Sequence, residues 1–336
     1  MLYAASSLTK LQVLAPKQTI ANSLPCIRLV ILLLLSGAFG ISSGTANAQF
    51  LTINDPSGFN GTSAFGISGN TVVGRSETTS GDRGFLYNVP ANTFTDFNIG
   101  GATNTEAFGI DGNIVVGAHD LPSISIFYGY MYNTTTSAVT PINDPLGTDT
   151  LPYGISGHYI VGDYGNLIAT DGFIYDIATA SFVDFPNPVS GQTFLFGISG
   201  NEVVGYDNVG GLSNGFLYNI ASDTFTPLTD PMGNQTEPTG ISGNYVVGQY
   251  FTTNSEGGFL YDMATNSYSN ITDPSGMPGY TDPWAIDDTA VVGTYYTSQF
   301  NGFLYNFGSP AGVPEPGAIV LLATALAAGL GTIRRR

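Results

Sequence analysis

Short apolar runs separated by polar, glycine-rich breaks recur along most of this chain, with no stretch of helical periodicity among them. The pattern Gly-Ile-Ser-Gly-Asn at Gly240 returns at Gly66, Gly109, Gly154 and Gly197, with a degenerate copy at Ala285 to Thr289, at intervals of 43, 45, 43, 43 and 45 residues. Eight residues after each start stands the glycine of Val-Val-Gly or Ile-Val-Gly: Gly74, Gly117, Gly162, Gly205, Gly248 and Gly293. A Gly-aromatic-aliphatic-Tyr run follows nine to twelve residues later, as in Gly84 to Tyr87 and Gly258 to Tyr261. Six copies of one unit fill residues 63–305.

Each unit reads as four short strands. The first ends in aromatic-Gly-Ile, and a Ser-Gly-Asn turn, rich in residues that tolerate positive φ, folds it onto the Val-Val strand. A polar loop of variable length, such as Gln249 to Gly257, leads to the aromatic-aliphatic-Tyr strand, and a segment such as Thr224 to Leu228 supplies the fourth. Asp-Pro-x-Gly turns then begin at Asp55, Asp144, Asp230 and Asp273. Repeats of about 40 to 45 residues with four strands each imply an all-β, six-bladed β-propeller.

The ends of the array favour a closed ring over an open solenoid. The sixth unit stops after its third strand, whereas Phe50 to Gly58 at the other end matches the fourth strand and turn of the fifth unit, Ser269 to Gly276. The N-terminal strand is therefore expected to complete the last blade and remove its free edge. A solenoid would instead carry capping repeats.

Outside the repeats lie two segments of different character. Lys10, Lys17 and Arg28 precede an apolar run from Leu29 to Leu35 and an Ala46-Asn47-Ala48 site, which reads as a signal peptide over residues 1–48 cleaved between Ala48 and Gln49. Residues 313–336 run from Val313-Pro314-Glu315-Pro316 through an apolar Ala318 to Ile333 into three arginines. About 16 apolar residues make a helix of roughly 24 Å, enough for a short membrane anchor with its basic end in the cytoplasm. That order of motif, helix and arginine cluster resembles the PEP-CTERM sorting signal of bacterial envelope proteins. The resemblance implies processing at Pro314-Glu315-Pro316 by an exosortase-like membrane protease after Sec-dependent export, in bacteria that make extracellular polysaccharide. The 49–312 body is similar to HAF-type extracellular repeats, with Gly where that pattern has His-Ala before the aromatic, and this implies an exported β-repeat protein without naming catalytic residues.

Charge narrows the partners. The body holds 24 acidic residues against Arg75 and Arg83, a net of about −22, which disfavours nucleic acid and anionic lipid. The one cysteine, Cys26, precedes the cleavage site, so the mature chain is expected to lack disulfides and thiol chemistry.

Little in the sequence reads as chemistry. The shared glycines read as backbone requirements, and no helix follows them to make a phosphate cradle. His119 and the turn residue His158 sit in different units. Asp111, Asp287 and Asp288 replace Ser-Gly at hairpin turns and are the best candidates for a carboxylate glycosidase, although Asp in a turn has an ordinary backbone role. Asp163, Asp207 and the Asp-Pro-x-Gly turns offer oxygens for calcium, without the spacing of an EF-hand loop. No cofactor, metal or catalytic residue is assigned. The position before the hairpin glycine holds Phe65, Phe108, Tyr153, Phe196, Thr239 and Trp284. Those rings read as core between blades, with Trp284 as the candidate to stack on a sugar. The expectation is a non-enzymatic surface or matrix protein, structural or adhesive, with a glycan-binding lectin second and a glycoside hydrolase third.

Overall fold

The computed structural model describes residues 49–121, 124–165, 170–183, 185 and 191–308. The cleavage residue Ala48 and the sorting motif Pro314-Glu315-Pro316 lie outside the described residues, as does the expected anchor helix. No helix among the described residues is long and apolar enough to cross a membrane.

All regular elements of the described chain are strands, 24 in number, arranged as a β-propeller. The fifth repeat shows the plan: Gln235–Ser242, Tyr245–Phe251, Glu256–Asp262 and Ser267–Ile271 pair in sequence order as an antiparallel meander. Four such sheets stand separately. The six separate sheets expected from the repeat count appear as five, because the remaining eight strands form one sheet. In it the first repeat, Gly61 to Phe97, joins the last, Thr281 to Asn306, through one parallel pairing of Gly61 with Phe300. Gly61, at φ 153°, has no side chain to hold off the Phe300 backbone, whose oxygen would lie 3.1 Å from a Cβ there.

The N-terminal strand Gln49–Ile53 pairs antiparallel with Phe300–Asn306, Gln49 opposite Asn306 and Ile53 opposite Gly302. Phe50 stacks on Tyr305 at 4.6 Å. Equivalent third-to-fourth-strand pairs are Tyr87 with Phe94 at 4.6 Å and Tyr261 with Tyr268 at 4.3 Å.

Face-to-face stacking of sheets explains the Val-Val doublet. Neighbouring side chains point to opposite faces of a strand, and both faces of the second strand are covered. Val72 and Val73, Val203 and Val204, and Val246 and Val247 are all fully buried, each worth about 1.5 to 3 kcal/mol of transfer free energy.

Turns between first and second strands carry the positive φ that the sequence pattern requires: 55° at Gly69, 61° at Gly200, and 52° at Asp288, where the sixth copy has no glycine. These turns are also linked to one another. The Ser68 hydroxyl accepts the Gly112 N–H at 3.2 Å, Asp111 Oδ2 that of Gly157 at 2.7 Å, and the Ser156 hydroxyl that of Gly200 at 3.0 Å. The Ser199 hydroxyl then accepts from Gly243 at 3.4 Å, the Ser242 hydroxyl from Asp288 at 3.1 Å, and Asp287 Oδ2 from Gly69 at 2.6 Å. The circuit ends where it began.

Candidate functional site: an aromatic collar in the channel

The first strand of each repeat contacts the first strand of the next, and the last of them contacts the first, so six innermost strands surround a channel. In every one the pairing register slips at one residue: between Ala64 and Gly66, Ala107 and Gly109, Pro152 and Gly154, Leu195 and Gly197, Pro238 and Gly240, and Pro283 and Ala285. The skipped residues are Phe65, Phe108, Tyr153, Phe196, Thr239 and Trp284. A β-bulge re-aims one side chain relative to the pleat, and here six bulges turn the same position of each repeat toward a common cavity of about 650 Å³.

Five aromatic rings and one threonine thereby form a collar. Centroid separations are 5.6 Å for Phe65 and Phe108, 5.0 Å for Phe108 and Tyr153, and 4.7 Å for Tyr153 and Phe196. Trp284 spans the threonine position, 6.3 Å from Phe196 and 5.5 Å from Phe65, the latter edge to face. Thr239 is buried and donates its hydroxyl to the Pro283 carbonyl at 2.7 Å. The glycine that follows five of the six collar positions lets adjacent strands approach. A Cβ on Gly154 would lie 2.5 Å from the Phe196 oxygen, and one on Gly240 2.8 Å from the Ala285 Cα.

Polar groups sit on the same wall. Glu106 pairs with Arg75 at 3.1 Å, and Arg75 also meets Glu77 at 3.1 Å and Asp82 at 3.4 Å. Burial works against the Arg75 charge, but Glu106, Asp82 and Glu77 outweigh it and raise its pKa. Its guanidinium carbon lies 5.9 Å from the Phe65 ring centre. Asp282 lines the cavity two residues before Trp284, and burial together with the nearby Glu256 pushes its carboxyl up to about 7. Thr294, opposite Asp282 in the pairing register, is 3% exposed, and its hydroxyl has no hydrogen-bond partner. Asp163 lies against the collar and is hydrogen-bonded to Tyr153, its carboxyl also raised to about 7, chiefly by burial. The Tyr153 and Tyr206 hydroxyls are raised, first by burial and then by neighbouring carboxylates.

Trp284 thus belongs to the collar. The turn carboxylates Asp111 and Asp287 are spent on the N–H groups of the adjacent repeats, and Asp288 occupies the left-handed turn slot, so these three do not converge as a catalytic set. The turn aspartates act locally: Asp144 Oδ1 accepts the Leu146 N–H and Asp230 Oδ1 that of Met232, each at 2.8 Å. Asp207 Oδ1 accepts from Thr193 at 2.8 Å. Among the described residues no three His, Cys, Asp or Glu side chains gather in a group suited to a metal ion. The His158 ring packs against its neighbour Tyr159 at 4.0 Å, tilted by 40°, and His119 Nδ1 lies 3.2 Å from the Asp120 carbonyl. The variable segment Gln249 to Gly257 borders a second cavity of about 730 Å³, shared with Pro278 to Thr281. Sequence reasoning missed Arg75, Glu106, Asp282 and Thr294. Their signal was variation at two fixed offsets: two residues before the collar position the repeats carry Ser63, Glu106, Leu151, Phe194, Glu237 and Asp282, and directly after the second-strand glycine they carry Arg75, Ala118, Asp163, Tyr206, Gln249 and Thr294.

Neither a family model nor a curated protein sequence matches the chain. Solved structures do. A putative TolB from Agrobacterium tumefaciens aligns over 79% of this chain and all of its own, at 13% identity and a TM-score of 0.55. TolB from Acinetobacter baumannii aligns over 74% of this chain, at 13% identity and a TM-score of 0.51, and this chain spans 65% of that one. The likeness is one of fold. It carries the propeller and no activity.

Proposed function

We propose that the chain is an exported, non-enzymatic, six-bladed propeller of the cell envelope or matrix that holds a polysaccharide in its channel. The eight-stranded sheet counts as two blades in this reading, supported by the single pairing that joins its halves and by the six-membered circuit of turn hydrogen bonds. Export through the Sec route, and processing of the tail at Pro314-Glu315-Pro316 by an exosortase-like protease, rest on the sequence of the two ends.

The observation that carries the ligand reading is the collar. Sugar rings present C–H faces that pack on aromatic faces, and their hydroxyls need fixed polar partners close by, the composition of a ligand pocket in which few polar groups set orientation. Five rings at 4.7 to 6.3 Å supply the first, and Asp282, Thr294 and Tyr153 the second. Of the two non-enzymatic readings, glycan binding therefore stands ahead of a purely structural role, and adhesion to matrix follows from it.

The test is retention of the purified chain on an array of immobilised polysaccharides. Retention lost in Trp284→Ala and partly kept in Trp284→Phe, with both variants folded by thermal melting, supports the reading. No retention on any glycan, or retention indifferent to Trp284→Ala, overturns it.

A further inference from the structure

The channel wall is polarised in charge. Its one cation among the described residues, Arg75, is surrounded by Glu77, Asp82 and Glu106 within 3.4 Å and has no charge left to offer. Asp282 is different. Its side chain lines the cavity with no hydrogen bond or ion pair from any described residue, and the charge that acts on it is that of another acid, Glu256. Directly across the strand pair, the buried Thr294 hydroxyl lines the same cavity and is also without a partner. A buried hydroxyl in a native protein almost always has a partner, and leaving its hydrogen bonds unmade is costly. An orphaned hydroxyl and a carboxyl without a partner among the described residues thus converge beside Trp284 and the negative faces of the collar rings.

We infer that the channel selects a saccharide bearing a protonated amino group, seated with its ammonium between Asp282 and Thr294 and its ring against the collar. The inference rests on the glycan reading above and narrows it to amino sugars over N-acetylated, neutral or uronic acid sugars. An ammonium has three donors and no acceptor, so it satisfies the Asp282 carboxylate and the Thr294 oxygen together, and relieves the repulsion between Asp282 and Glu256. Aromatic faces attract the same charge. A neutral hydroxyl meets the hydrogen bonds without the charge, and a uronic acid meets Asp282 with repulsion.

Trp284 is the only tryptophan among the 336 residues, so its fluorescence reports the collar directly. The full chain is titrated near neutral pH with oligomers of glucosamine, of N-acetylglucosamine and of galacturonate. The expected result is a fluorescence change with the glucosamine oligomer at an affinity at least roughly tenfold above the N-acetylated one, weakening with added salt. Asp282→Asn is expected to remove that preference, lowering glucosamine affinity roughly tenfold to the level of the N-acetylated oligomer. Thr294→Val is expected to lower glucosamine affinity several-fold, and Thr294→Ser to keep it. Equal or tighter binding of the N-acetylated or galacturonate oligomer overturns the amino-sugar assignment and leaves the glycan reading standing. Silence toward all three, in a folded protein that the polysaccharide array also fails to retain, removes both.

Discussion

Asp287 Oδ2 accepts the Gly69 N–H at 2.6 Å, joining residues 218 apart in sequence. The five other links of the circuit run forward from one repeat to the next; this one runs from the last repeat back to the first. Four links use a serine hydroxyl, and the two that use a carboxylate are the shortest, at 2.6 and 2.7 Å. Hydrogen bonds to charged groups are worth about 1.5 to 3 kcal/mol when shielded and less at an exposed site.

Asp287→Ala is expected to lower stability by about 1 kcal/mol and to loosen one seam selectively. Amide exchange in Gly61–Ser68 and Thr281–Asp287 accelerates, while that of the third repeat, at Tyr159–Gly165, stays at the parent rate. Uniform acceleration around the ring would show that the closing link has no special role.

Gly154→Ala places a Cβ at 2.5 Å from the Phe196 oxygen, backbone that cannot rotate aside. The inner strands of the third and fourth repeats must separate, at a cost of about 1 to 3 kcal/mol. The sixth copy already carries alanine at this position, so Ala285→Gly is expected to change stability by less than about 1 kcal/mol, the entropy of an added glycine. Urea midpoints of the two variants distinguish a steric requirement from a conformational one, since similar losses in both would rule out the steric account.

Thr239 and Trp284 divide one place in the collar between them. Thr239→Phe alone crowds the indole that spans its position, and Trp284→Ala alone opens a void, each costing about 1 to 4 kcal/mol. The double variant puts a ring back where the other repeats have one. Its loss is expected to fall short of the sum of the singles by about 1 kcal/mol or more in a double-mutant cycle. Strict additivity would mean that the two side chains do not share the space.

Asp163 sets a pH dependence. Its carboxyl is raised to about 7 in the fold by burial, which outweighs the Tyr153 hydroxyl that favours its charged form, and Asp149 adds repulsion. The unfolded value is about 3.9. A carboxyl raised on folding contributes stability that is complete below the unfolded value and is lost as pH rises through the folded one. Asp163→Asn keeps an acceptor for Tyr153 and cannot ionise. Below about pH 4 the variant is expected to match the parent, and above about pH 8 to exceed it by about 2 to 4 kcal/mol. Asp282, raised for the same first reason, leaves a residual slope in both proteins. Parallel profiles of urea midpoint against pH would contradict the assignment to Asp163.

The propeller was legible from spacing alone, because each repeat places its punctuation at fixed offsets: Gly243 at the turn, Val246 and Val247 in a doubly buried strand, Phe259 to Tyr261 in the third. Reading the shared glycines as backbone requirements also agrees with Gly154 and Gly240, which fit strands too close for a Cβ. The collar was half legible. Its six residues stand out as a series and read mostly as core between blades, with Trp284 set apart as a sugar-stacking candidate, since no sequence rule announces that all six occupy bulges. Nothing local marks Asp287 as the acceptor for Gly69, or Asp282 and Thr294 as partners across a cavity. Those relations exist only once the ring closes. The loop Gln249 to Gly257, which differs from repeat to repeat, borders the second cavity, whereas the collar is built from a position that is aromatic in five of the six repeats.

The pairing of Gln49–Ile53 with Phe300–Asn306 carries a consequence in time. Gln49–Ile53, the first strand of the described residues, leaves the ribosome about 250 residues ahead of its partner, so the contact closing the sheet is among the least local. Contacts of that separation form late and slowly. Until then Phe50 and the edge of Phe300–Asn306 stand open to any other strand, a second chain included. A chain with five repeats already folded is still an unlatched one until the five residues from Gln49 reach that edge.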